Sequence, residues 1–258
     1  MNAGDLFGAN INRSPFSYEQ NPEEERAQYP DNTDTLMTLL KIVDQDGLET
    51  GALNWFGILS LSIFSDFFFF FSFFFFLFFF SINFQFKIAV HPVSMNNTNH
   101  LISSDHKGAA SLLFEAEKNG IETPPGSGDF VAAFASSNLG DVSPATKGTF
   151  CTGGRRPGLK CDYETSTCPN WLGNPSSKLC HGQGPAGKDS KFNTKAIADL
   201  QYEKAKELYD SATIPLAGDI QYRHIYVDMP NLYVQLGEEK VKLCKAAMGY
   251  RSIFFFSF

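Results

Sequence analysis

Between Gly57 and Ile88 lie fifteen of the chain's 27 phenylalanines, in runs of up to five. Such a run follows neither the period of a strand nor that of an amphipathic helix, so it cannot place one apolar face on a core. Residues 58–81 are long and apolar enough to span a bilayer as a helix. The segment lacks a basic flank, and Phe runs throughout where Trp and Tyr belts would mark the edges of a span. A pyrimidine tract such as precedes the 3′ end of an intron, read as codons, gives Phe with Ser and Leu. Residues 57–88 are therefore read as a translated retained intron, helical in any structure, with a membrane anchor as the alternative. Ser252 to Phe258 holds four more Phe and reads as a second stretch of this kind, a non-native tail.

Outside these two segments, 219 residues hold only eight Phe, and the composition is that of an ordinary domain. The length suits one large domain or two small ones. A net charge of −7 with no basic run excludes nucleic acid as the main partner. Four of the five cysteines fall between Cys151 and Cys180, with no Cys-x-x-Cys pair that would suggest a zinc knuckle. In a Gly/Pro/Ser-rich stretch they read as two disulfides and an oxidising compartment. Met1 to Asn10 carries no apolar stretch of the kind a signal peptide needs.

Leu36 to Val43 reads as a strand, Gln45-Asp46-Gly47 as a turn, and Ala52 to Phe56 as the returning strand. Gly108 to Lys118 has a helical pattern ending at Gly120. Phe130 to Ser136 reads as a buried strand, and Asn193 to Ser211 as a second helix with Ala196, Leu200, Ala205 and Leu208 toward a core. Asp219 to Met229 reads as a further strand. This alternation predicts a mixed α/β (α+β) catalytic-domain fragment.

Polar groups gather where predicted strands meet loops, the usual place for active sites. Arg13 precedes a Ser-Pro turn, and its guanidinium could grip a carbonyl, or merely pair with an acid such as Glu23. His91 sits between a strand and Pro92, where a neutral imidazole can bind zinc or serve structure alone. His100, Ser103, Ser104, Asp105 and His106 could suggest a metal site, although nothing in the spacing fixes its geometry, and the structural reading is favoured. Ser143 lies in Gly140-Asp141-Val142-Ser143-Pro144, which is not the Gly-x-Ser-x-Gly of a nucleophile elbow.

Taken in order, several strings resemble the neutral ceramidase family. They include Asn-Ile-Asn-Arg-Ser-Pro (10–15), Asn-Pro-Glu-Glu-Glu-Arg-Ala (21–27), and Asn-Trp-Phe (54–56) joined across the insertion to Ala-Val-His-Pro-Val-Ser-Met-Asn-Asn (89–97). Phe-Val-Ala-Ala-Phe-Ala-Ser-Ser-Asn-Leu-Gly-Asp-Val-Ser-Pro (130–144) and Ala-Ala-Met-Gly-Tyr (246–250) complete the series. The resemblance implies a partial catalytic domain made of 1–56 and 89–251. It implies hydrolysis of the N-acyl amide of ceramide to sphingosine and fatty acid at a membrane surface, by a secreted or cell-surface protein. It makes His91 a zinc ligand, Ser143 the catalytic Ser, Arg13 an active-site Arg, and the disulfides Cys151–Cys168 and Cys161–Cys180.

Departures from the family weigh against activity. By the same resemblance, the first zinc-ligand His would precede Met1, and the Glu and Tyr ligands and an immunoglobulin-like domain would follow Tyr250. Ala145 stands where the family has Asn, and Cys244 would lack its partner. One ligand cannot hold catalytic zinc at useful affinity, and the apolar block just ahead of His91 is expected to displace it or prevent folding. The expected state is an inactive fragment. The alternative is a non-catalytic, membrane-anchored protein, whose anchor would put Arg13 and Ser143 on opposite sides of the bilayer.

Overall fold

The computed structural model describes residues 1–56, 90–136, 139–219 and 221–245. The expectations for 57–88, for a span at 58–81 and for the tail at 252–258 fall outside the described residues. Among the described residues, no helix is long and apolar enough to cross a membrane.

The strands are β1 (Asn2–Asp5), β2 (Ile11–Asn12), β3 (Leu36–Val43), β4 (Glu49–Phe56), β5 (Val131–Ser136), β6 (Val142–Ser143), β7 (Gly148–Cys151), β8 (Cys168–Pro169), β9 (Pro175–Ser176), β10 (Cys180–Gln183), β11 (Tyr233–Leu236) and β12 (Glu239–Lys242). Helices α1 (Pro15–Glu19) and α2 (Glu23–Arg26) are single turns, whereas α3 (Asp105–Asn119) and α4 (Ser190–Asp210) are long. The main sheet has the order β1-β3-β4-β5. The β3–β4 hairpin closes through Asp44, whose Oδ1 accepts from the backbone N–H of Asp46 at 2.9 Å and of Leu48 at 2.8 Å. Gly47 takes the φ of 84° that a side chain would resist. β4 and β5 pair in parallel, Gly51 against Val131 through Phe56 against Ser136. The connection between parallel strands must cross over, and α3 lies within it.

Both long helices pack on one face of this sheet. Phe114 of α3 is fully buried, with ring centroids 5.4 Å from Phe130 and 5.3 Å from Tyr209 of α4. Met37, Leu39, Ala132 and Leu208 complete this layer. The strand expected at Phe130–Ser136 exists but is not buried throughout: Ala132 and Phe134 face the helices, while Val131 is 56% exposed. Among the described residues, helices cover one face of the sheet, and alternation sends every second side chain to the other.

The second helix starts earlier than expected, because Asp189 caps it, accepting from the N–H groups of Lys191 and Phe192. Its buried face includes Asn193, Ile197, Gln201, Ala205 and Leu208. The expected Leu200 is 37% exposed and Ala196 only half-buried, an error of phase. The first helix begins at Asp105, three residues ahead of expectation, and ends at Gly120 as expected. The strand expected over Asp219–Met229 is not formed. The described residues there are irregular, and the hairpin that does form is β11–β12, further along the chain.

The Cys-rich segment is built on the antiparallel β7–β10 pair, with β8–β9 beside it. Its disulfides are Cys151–Cys168 and Cys161–Cys180, the pairs the resemblance implied. Cys244 is free and exposed.

Candidate active site

The short β2–β6 pair joins segments 130 residues apart. Ile11 stands opposite Ser143 and Asn12 opposite Val142, and the Arg13 N–H donates to the Asp141 carbonyl at 2.9 Å. Residues two apart on a strand share a face, so Arg13 and Asp141 lie on the Ser143 side. The Arg13 Nε and Nη2 both lie 3.2 Å from Asp141 Oδ1. The partner of Arg13 is thus Asp141, not Glu23. With side chains 33% and 55% exposed, this pair contributes about 1 kcal/mol at most.

His91 reaches the same segment from the β4–β5 crossover. Val90 before it is fully buried and anchors the chain. His91 Nδ1 lies 2.7 Å from the Val142 carbonyl oxygen. A carbonyl only accepts, so Nδ1 carries a proton, and the neutral ring then keeps its lone pair on Nε2, the tautomer suited to binding a metal through Nε2.

A second relay holds the His91 backbone. Its carbonyl accepts from His106 Nε2 at 3.0 Å, and Gln201 Nε2 of α4 donates to His106 Nδ1 at 2.8 Å. His106 is fully buried, and its pKa is lowered to about 4. Burial is the main cause, the neighbouring Lys107 charge adds to it, and the bond to His91 and the Asp105 charge oppose it. It is therefore a neutral imidazole at neutral pH. Asp105 accepts from the N–H groups of Met95 and His106, each at 2.8 Å, and from the N–H and hydroxyl of Ser94. Burial raises its pKa, but these donors outweigh that and hold the carboxyl below its ordinary range.

Ser143 is half-buried, and its Oγ accepts from the Ala145 N–H at 3.2 Å. A cleft of about 470 Å³ opens along the pair, lined among others by Asn12, Ser14, Tyr18, Asn32, Asp141 and Val142. Arg13 and Ser143 are not among its lining residues.

Arg13, His91 and Ser143 thus converge on residues 141–143. The Asp105–His106 pair is a structural support, and His100 is exposed and apart from it. Gln201 was missed. The available signal was a polar residue within the apolar stripe of α4, between Ile197 and Ala205. Cys151, Cys161 and Cys168 bring their sulfurs within 4.8 Å of one another. All three are in disulfides, so they offer no thiolate to a metal. The pairing of 11–13 with 141–143 also opposes the anchored alternative, because a single span between them would separate them.

The described residues form a mixed α/β domain that brings Arg13, His91 and Ser143 to one strand-end segment. The chain belongs to the neutral/alkaline ceramidases. The family described as neutral/alkaline non-lysosomal ceramidase, N-terminal, matches residues 1–67 and 82–254, breaking off inside the Phe-rich run. Neutral ceramidase A of Dictyostelium discoideum is 41% identical over 252 residues, covering 96% of this chain and 30% of its own length. A solved ceramidase complexed with C2 superposes with a TM-score of 0.61 at 26% identity, over 96% of this chain and 28% of that one. The crystal structure of neutral ceramidase from Pseudomonas aeruginosa gives 0.57 at 27% identity, over 96% and 28%. The chain therefore spans about a third of the length of these relatives.

Proposed function

We propose that this chain carries part of the active centre of a zinc-dependent amidase that splits ceramide into sphingosine and a fatty acid. The observation behind this reading is the convergence of Arg13, His91 and Ser143 on residues 141–143. In this reading the His91 Nε2 lone pair binds the metal, and the Val142 carbonyl fixes the ring. Bound zinc would activate a water and stabilise the oxyanion formed at the amide carbon. Arg13 keeps further N–H donors beyond the two facing Asp141, and these orient the scissile carbonyl. The Ser143 oxygen accepts from Ala145, which leaves its O–H to donate to the substrate or the attacking water.

The described residues gather no cluster of three His, Asp and Glu side chains. His91 alone gives weak zinc binding, and negligible ceramide hydrolysis is expected of this 258-residue chain. The site is tested by placing residues 1–56 and 89–245 in the matching region of the Dictyostelium ceramidase A. The chimera is expected to release fluorescent fatty acid from labelled ceramide. Ser143→Ala and His91→Ala should each lower kcat/KM by at least about 10²-fold, the scale of losing one transition-state contact. Full activity in both variants would refute the assignment.

A further inference from the structure

The disulfide-stapled segment differs in charge from the rest of the chain. Residues 145–188 carry six cations (Lys147, Arg155, Arg156, Lys160, Lys178 and Lys188) against Asp162 and Glu164, a local +4 within a chain of net −7. Two of its turns meet at the outer end. In the first, Asn170 Oδ1 accepts from the N–H groups of Leu172 at 2.9 Å and Asn174 at 3.0 Å. Trp171 and Leu172 are left 76% and 80% exposed. In the second, the Gly158 N–H donates to the Cys151 carbonyl at 2.7 Å, and Leu159 stands 58% exposed. Arg155 joins the turns, its N–H donating to the Pro169 carbonyl and its Nε to the Trp171 carbonyl, both at 3.0 Å. Cys151, whose carbonyl closes the second turn, is bonded to Cys168, two residues ahead of Asn170 in the first.

This geometry displays large apolar side chains to water, with Arg155 between the turns and exposed Arg156 and Lys160 flanking Leu159 in the chain. Burying them elsewhere would regain hydrophobic free energy with little ordering cost. Trp is the side chain best suited to a bilayer interface, and cations beside it meet anionic headgroups.

We propose that Trp171, Leu172 and Leu159 insert into an anionic lipid surface, held by Arg156, Lys160 and their neighbours. The proposal rests on the surface of this segment and stands whether or not the chain hydrolyses ceramide.

The chain has two tryptophans, Trp55 and Trp171, so fluorescence of the full chain can locate the contact. A Trp171→Phe variant supplies the Trp55 background. With vesicles of phosphatidylserine and phosphatidylcholine bearing brominated acyl chains, Trp171 emission should shift to the blue and be quenched. Raising salt from about 0.1 M to about 1 M, which shortens the screening length from ~10 Å to ~3 Å, should reverse this. Arg156→Ala with Lys160→Ala leaves the turn hydrogen bonds and both disulfides in place. It should weaken partitioning roughly 30-fold, about fivefold per cation near the surface. Absence of vesicle binding would overturn the proposal. So would bound vesicles with Trp171 unquenched, which would place the contact elsewhere, as in residues 57–88. Equal, salt-independent quenching on neutral vesicles would overturn the anionic assignment.

Discussion

Replacing Asp105 by Asn keeps the side chain's shape and removes its charge, at a point where three segments meet. Oδ1 accepts from the N–H and hydroxyl of Ser94 and from the His106 N–H, while Oδ2 accepts from Met95 N–H. An Asn can place its oxygen at the Oδ1 position and satisfy three donors. Its NH₂ then faces the Met95 N–H, so one charge-assisted bond is lost and a donor is left unpaired. Asp105 is 8% exposed, so water does not replace that bond. The cost is about 2–4 kcal/mol. At roughly 2–4 °C per kcal/mol for a chain of this size, the melting temperature should fall by about 5–15 °C. Because Asp105 is held below its ordinary pKa, wild-type stability is full above that value and declines as pH falls below it. The variant should lose that part of the acid slope. Differential scanning fluorimetry between pH 3 and 7 reads both effects. A melting temperature within about 1 °C of wild type at neutral pH would show that the carboxylate does not pin the chain after His91.

Three further outcomes follow from the packing and the charges. Phe114→Ala, which empties the centre of the aromatic layer, should cost about 3–5 kcal/mol in urea unfolding. Cys168→Ser opens the Cys151–Cys168 bridge, whose partners are 17 residues apart, and should cost about 3 kcal/mol; dithiothreitol should destabilise the wild type more than the variant. Glu49 bonds Lys41 and Lys118, which lower its pKa to about 2. Its stabilisation should be complete above about pH 4.5 and fade toward pH 2, so Glu49→Gln should flatten that window. With the side chain 39% exposed, the loss at neutral pH should be only about 1 kcal/mol.

The β3–β4 hairpin was legible because its turn chemistry and apolar runs are local. Both long helices were legible as helices, but their starts depend on Asp189 and Asp105, polar residues that no apolar period reveals. Residues 219–229 read as a strand because Tyr222, Ile225, Tyr226 and Val227 suit one. A strand needs a neighbour to complete its hydrogen bonds, and these side chains are 49–91% exposed in irregular backbone. Arg13, His91 and Ser143 could be chosen from the strings that resemble the family. That β2 and β6 bring Arg13 and Ser143 together could not, since two-residue strands leave no periodic trace, nor could the reach of His91 to Val142, 51 residues on. The Gln201–His106 support was hidden for a similar reason, its members being 95 residues apart.

The parallel β4–β5 pair bears on how this gene can vary. Its register is set by hydrogen bonds between 51–56 and 131–136, and α3 lies in the connection between them. Closing such a connection costs free energy only as the logarithm of its length, about 0.6 kcal/mol for each doubling. Removing 57–88 would shorten a 74-residue connection to 42, less than a halving. Loop-closure entropy alone therefore separates the two lengths by less than about 0.6 kcal/mol, so the parallel register does not by itself select one connection length over the other.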